Sequence, residues 1–333
     1  MNRPATTAPA AKATALAPLP EPIAAWARAH LGDLVPWVLP LGVDGVPSWR
    51  ASAGGRGLVD IRWARTDEGF RREVFAHRRA VPLLHTEQAP RLLAAEPRLR
   101  TLLVLQPRAQ RVASSPLATV PRIHEQAGRL LRAWHLLGDH LEQGADTAAR
   151  HVRQYTDRHA RLLDEPFTAW LGPGDTMTIH DCIRELTQYA PQLPHAYAHG
   201  VFGPAVWQWA VPETLTFTHF GQARLLPAVL DFARPALLWA DEPDLADAFT
   251  RGFGRPLIAA ERSVLAAVSV LAALDDLHHA LHIHNDEARR HAREHLRLAV
   301  RRYCTWHAPA PSAGPDKASQ SAAAGPCDPG GKA

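Results

Sequence analysis

The sequence predicts an α+β chain of two unequal lobes: a small antiparallel sheet with one helix, then a larger, mostly helical lobe. Three observations carry this. Short apolar runs separated by glycine-containing turns fill residues 34–63. Apolar residues at helical spacing dominate beyond Ile123. A loop-rich, strand-poor stretch, Pro191–Pro227, interrupts those helices.

Taken in order, residues 1–18 read as a disordered Ala/Pro/Thr-rich tail. The small lobe, 19–107, opens with a short helix around Ile23–His30. Leu34–Leu41, Val46–Ser52 and Leu58–Trp63 follow as strands, joined by turns at Gly42–Gly45 and Ala53–Gly57, which makes an antiparallel meander. A helix runs from Asp67, read as its N-cap, through Arg79. Two more strands, Ala89–Ala95 and Thr101–Leu105, close the lobe at Pro107. The large lobe, 108–307, has helices at Ile123–Leu137, Asp146–Leu171 and Thr178–Tyr189, and again from Pro243 to Trp306, with Pro256 in the first turn of the one carrying Ala259–Leu277. Residues 308–333 are a second low-complexity tail.

Composition narrows the function classes. A chain of 333 residues can hold two lobes around sizeable cores. The three cysteines, Cys182, Cys304 and Cys327, are scattered and odd in number, against a disulfide framework or a cysteine metal site. No uninterrupted apolar run reaches the roughly 18–20 residues of a membrane span, and the N-terminus lacks a secretory pattern. A cytoplasmic location with no membrane partner is the expectation. The net charge of +4 is modest and the basic residues are interspersed with carboxylates, so nucleic acid is not an expected partner. The only lysines, Lys12, Lys317 and Lys332, lie in the tails, so arginine is the only permanent cation of the body.

Two segments carry the functional reading: His199-Gly200-Val201-Phe202-Gly203-Pro204-Ala205-Val206 and Thr218-His219-Phe220-Gly221. They resemble the catalytic and metal-binding loops of the aminoglycoside phosphotransferase family, which includes choline kinase relatives. Members carry His-Gly-Asp-Phe-(His/Gln)-Pro-x-Asn, then Ile-Asp-Phe/Trp-Gly/Glu. The likeness covers roughly residues 35–305 and is best from His199 to Arg255. It includes Phe70–Val74, Gln126–His135, Trp239–Leu245 and Phe249–Leu257. The resemblance implies a two-lobed protein-kinase-like fold, with ATP and Mg²⁺ as cofactors. The residues themselves assign no cofactor and no metal site.

Phosphoryl transfer needs a cation on the phosphates, a carboxylate on the nucleophile, and oxygen ligands for magnesium. In the implied positions this chain has Arg62 for the strand lysine, Val201 for the catalytic aspartate, Val206 for the metal-binding asparagine and His219 for the metal-binding aspartate. Valine offers no ligand atom, and imidazole suits the hard Mg²⁺ ion poorly. Glu73 is the conserved-type glutamate of the small lobe; it either pairs with Arg62 as part of a nucleotide site or is an exposed helix glutamate. The resemblance gives His199 a role in holding the loop rather than as a base. It gives Asp231 a pinning role, although Val229-Leu230-Asp231-Phe232 also mimics the metal motif.

Other histidines have rival readings. His195 could join His199 at a metal. His219 could be a replacement base, a soft-metal ligand or a space filler. His278 with His282 and His291 with His295 stand at i, i+4, a zinc-compatible spacing, but a solvated helix face explains them too. The turn at Gly54–Gly57 connects strands and is no phosphate loop.

The sequence thus points to a pseudokinase: a phosphotransferase framework acting as a binding or regulatory partner, with a protein or peptide as its ligand. Phosphotransferase-like proteins of actinobacteria often accompany natural-product pathways, and the resemblance extends to such a role. The alternative is an active ATP-dependent enzyme acting on a small-molecule or peptide acceptor, its site rebuilt from Arg62, His219 and Asp231. Trp207 and Trp209 are candidates for partner contact. Asp275, Asp276 and Asp286 are candidates for acceptor contact.

Overall fold

In the computed structural model, the first helix, α1 (Glu21–Leu31), stops at Gly32, whose φ of 79° suits a residue without Cβ. The structure describes residues 18–38, 48–53, 57–84, 90–113, 115–137, 145–164, 166–210, 213–239, 241–282 and 286–307. All but one residue of the expected tails, and the turn at Gly42–Gly45, lie outside these.

Strands β1 (Pro36–Val38), β2 (Ser48–Ala53) and β3 (Gly57–Trp63) form the expected meander. β5 (Thr101–Leu105) pairs with β3, and β4 (Arg91–Glu96) closes the edge, giving the antiparallel order β1-β2-β3-β5-β4. Alternation along the strands sorts the two faces. Trp49, Val59, Ile61 and Leu103 pack with Ile23 and Ala27 of α1. Leu102 and Val104 look the other way and pack on Phe70 of α2 (Asp67–Phe75).

The N-cap of α2 is Thr66, not Asp67. Thr66 is extended (φ −127°, ψ 152°), and its hydroxyl accepts from the Gly69 amide at 3.0 Å. Asp67 becomes the first helical residue and places its charge against the positive end of the dipole. The last turn expected of this helix is wider, a π turn over Ala76–Ala80.

β6 (Ala109–Arg111) follows the connection and pairs with β8 (Trp207–Ala210) of the larger lobe. Helix α3 (Pro121–Leu136) carries an apolar stripe, and its Trp134 is fully buried among Tyr197, Phe217 and Phe220. α4 (Ala145–Leu162) ends earlier than expected: Pro166 follows shortly, cannot donate to the preceding turn, and starts a 3₁₀ turn instead. α5 (Asp175–Tyr189) comes next. The stretch expected to be strand-poor holds four short strands, β7 (His195–Ala198), β8 (Trp207–Ala210), β9 (Thr214–Phe217) and β10 (Arg224–Pro227). β7 pairs with β10, and β8 with β9. Four residues are too few for a period-2 pattern to stand out; the pairings come from tertiary packing.

α6 (Ala233–Trp239), α7 (Pro243–Phe253), α8 (Ala259–His282) and α9 (Asp286–Trp306) complete the chain. Pro256 lies ahead of α8 rather than in its first turn. Buried Glu261 fixes that start by accepting from the Ile258 amide at 2.9 Å and from both Nη atoms of Arg255. α8 is long and apolar enough to cross a membrane by length and composition, but 61% of its apolar window is buried in the protein. It is the central helix of the large core, packed by Ile179, Leu186, Leu230 and Leu296.

Candidate functional site

The site is a cleft between the sheet and the β7–β10 loops. Its roof is the α2-facing side of the sheet. Arg50, Asp60 and Arg62 share that face, because β2 and β3 pair Arg50 with Asp60 and Ser48 with Arg62. Arg62 Nη1 donates to Glu73 Oε1 at 2.9 Å, and both residues are buried. Arg62 Nη2 lies 3.7 Å from Asp60 Oδ2, and Arg50 holds both Asp60 oxygens at 2.6 and 3.2 Å. The roof is therefore a buried chain of alternating charges. Burial alone would raise the Glu73 carboxyl; the His77 ring, 3.8 Å away, and the Arg62 charge outweigh it and hold the group well below the usual range.

The floor is built on Asp231, which has no exposed surface. Its Oδ2 accepts from the His199 amide at 2.7 Å and from His135 Nε2 at 2.9 Å, and its Oδ1 from the Gly200 amide at 2.7 Å. Gly200 has φ +84°, and a Cβ there would stand 2.9 Å from the Gln222 carbonyl oxygen. His199 is also fully buried. Its Nε2 donates to the Thr218 carbonyl at 3.0 Å, and burial pushes its pKa down to about 4, so the ring is neutral. These bonds bind the two loops to each other.

The positions that the resemblance assigns to the chemistry look different. Val201 reaches the cleft with a hydrocarbon side chain. Val206 does not reach it: the residue is 1% exposed and packs in the aromatic cluster with Phe202 and Trp207. His219 does line the cleft, on a left-handed backbone with φ 69°. Its Nδ1 is 2.6 Å from Thr218 Oγ1, and burial, helped by the Arg62 charge, pushes its pKa down to about 3. These groups do not fit magnesium. Valines have no donor, the His219 ring is nitrogen, Glu73 is paired, and Asp231 has both oxygens committed within the loops. Among the described residues no three His, Cys, Asp or Glu side chains are grouped to hold a metal.

The cleft encloses about 440 Å³. Its far wall comes from α4, β10, α6 and α8. Asp275 pairs with Arg158 and lies 3.2 Å from His159 Nε2, while Asp276 takes Arg234 Nη2 at 2.8 Å. Arg234 in turn reaches the Gly200 carbonyl at 3.5 Å, behind the loop. His278, His279 and His282 line this wall; His282 is exposed and the other two are half-buried. His291 is exposed, as is His295, and so is His195, which does not join buried His199. Trp207 is fully buried and is no contact surface; Trp209 is partly buried beside it. Asp286 is exposed at the start of α9, paired with Arg289.

Sequence reading missed Arg50, Asp60, His135, Arg158, Arg224 and Arg234. Asp60 had a signal, its place two residues before Arg62 on one strand face. Arg50 stands opposite Asp60 on the neighbouring strand; the remaining four come from elements far apart in the chain and carry none.

No family model matches the sequence, and no curated protein matches it. Solved structures do match in fold. The microcompartment-associated aminopropanol kinase superposes with a TM-score of 0.61 at 14% identity, covering 86% of this chain and 98% of that one. A thermostable mutant of aminoglycoside phosphotransferase APH(4)-Ia gives 0.59 at 15% identity, covering 84% and 98%. A choline/ethanolamine kinase family protein from Mesorhizobium loti gives 0.56 at 15% identity, covering 85% and 99%. Joined by one charged roof, one pinned loop pair and a cleft between them, the chain has the two-lobed fold of the aminoglycoside phosphotransferases and choline/ethanolamine kinases.

Proposed function

We propose that this protein is a pseudokinase, a phosphotransferase fold that binds a ligand or a protein or peptide partner without transferring phosphate by the metal-assisted route. The observation that carries it is the loop at Val201. No carboxylate stands there to orient a nucleophile, and Asp231, the nearest substitute in sequence, is fully engaged by three N–H donors. The roof supports the same reading. A purine needs an apolar slot with few polar groups, whereas this sheet face presents the Arg50–Asp60–Arg62 chain. Losing a base and metal ligands together removes several kcal/mol of transition-state stabilisation.

The second reading, an active enzyme with a rebuilt site, is favoured by one observation: the Arg62–Glu73 pair is intact at 2.9 Å and could still position a phosphate. The two separate by experiment. With Mg²⁺ and labelled ATP, the purified chain is expected to release no more ADP or phosphorylated product than its Glu73→Ala variant. ATP is expected to give either no thermal shift or one that does not need Mg²⁺. Turnover well above the variant, or a shift that requires Mg²⁺, would establish the enzyme instead.

A further inference from the structure

The cleft lining carries more positive charge than its carboxylates can neutralise. Five arginines line the cavity against three acids, Glu73, Asp275 and Asp276. Each acid already has an arginine: Arg62, Arg158 and Arg234. Arg224, on β10, has none among the described residues. Its Nε is buried without a hydrogen-bond partner, as is the Nε of Arg158. Arg72, on α2, does not line the cavity but is a charge neighbour of Arg224, and it pairs with Glu68, which is largely exposed. Burial and the neighbouring charges of Arg72 and Arg158 push Arg224 down to about 10. Tyr155, with its ring 5.7 Å from the Arg158 guanidinium carbon, lines the same wall.

Three guanidiniums from three elements, crowded and partly desolvated, are unfavourable in isolation. The arrangement becomes favourable when a dianion enters, because guanidinium forks match the oxygens of a phosphate and the interaction is strongest where water is excluded. We propose that Arg158 and Arg224, on the wall of the cleft opposite the sheet, form a binding site for a phosphate monoester, with Arg72 as the neighbouring charge at its edge. A monoester dianion fits better than a single carboxylate, since one negative charge would leave the cluster still repelled. Asp275 and Asp276 do not oppose this, being held by Arg158 with His159 and by Arg234. The site does not depend on whether phosphate is transferred, and it would select anionic ligands.

The test uses the full chain without nucleotide or divalent metal, so it is independent of the turnover assay. Phenyl phosphate and inorganic phosphate are expected to raise the melting temperature saturably, beyond sodium chloride at matched ionic strength. Arg224→Gln is expected to weaken phenyl phosphate binding at least tenfold by calorimetry. The same change should raise the ligand-free melting temperature, because it removes a repelled, unpaired cation. A merely structural Arg224 would do the reverse. Arg72→Gln, at the outer edge of the cluster, should also weaken binding. Absence of saturable binding, unchanged affinity in both variants, or a lower ligand-free melting temperature in Arg224→Gln overturns the proposal.

Discussion

Asp231 shows how a single side chain can be present and yet unavailable. Its two oxygens accept from the amides of His199 and Gly200 and from His135, with no exposed surface left. A carboxylate so held stabilises the loop and cannot also bind a metal or take a proton from a substrate. Asp231→Ala leaves three buried donors unsatisfied and is expected to cost about 3–5 kcal/mol. Urea unfolding at pH 7 reads this directly; a cost below about 1 kcal/mol would mean the network adds no net stability. His219 makes the complementary point. It occupies a left-handed backbone position that non-glycine residues enter at some cost, and its ring faces the cleft.

At the scale of elements, the crossing of α3 and α7 is set by two glycines. A Cβ on Gly128 would stand 2.2 Å from the Phe249 carbonyl oxygen, and one on Gly252 would stand 1.8 Å from that of Glu125. The two backbones therefore touch, which seats Phe249 and Phe253 beside Phe232 and His135 under the loop floor. In an exposed helix Gly→Ala stabilises by about 0.5–1 kcal/mol. Here Gly128→Ala is expected to destabilise by about 2 kcal/mol or more, because the helices must separate. Thermal or urea unfolding gives the sign, and a stabilised Gly128→Ala would refute the close crossing.

For the whole molecule, the buried ionisable groups make stability fall on the acid side of neutrality. His199 has a folded pKa of about 4, lowered from the ordinary 6.5. Between those values the unfolded chain binds a proton that the folded chain does not, so stability rises with pH across that window. By pH 5 the loss from this ring is roughly 2 kcal/mol. The lowered carboxyl of Glu73 acts in the same direction at lower pH, its contribution lost as pH falls below its unfolded value of 4.5. The urea midpoint should therefore drop between pH 7 and pH 5; a flat midpoint would mean His199 protonates in place without penalty. Much of the architecture was legible along the chain. Short apolar runs and helical spacing specified the strands of the meander and most helices, since these signals are local. The side chains at Val201 and His219 were likewise legible, because residue identity alone says that neither carries an oxygen donor. Tertiary structure decided the rest: that Val206 turns into the aromatic core, that Asp231 is consumed by its own loops, and that Arg158 and Arg224 line one cleft. Those outcomes depend on which surfaces are brought together and which donors lack water, and neither is written in the order of residues along a strand or helix.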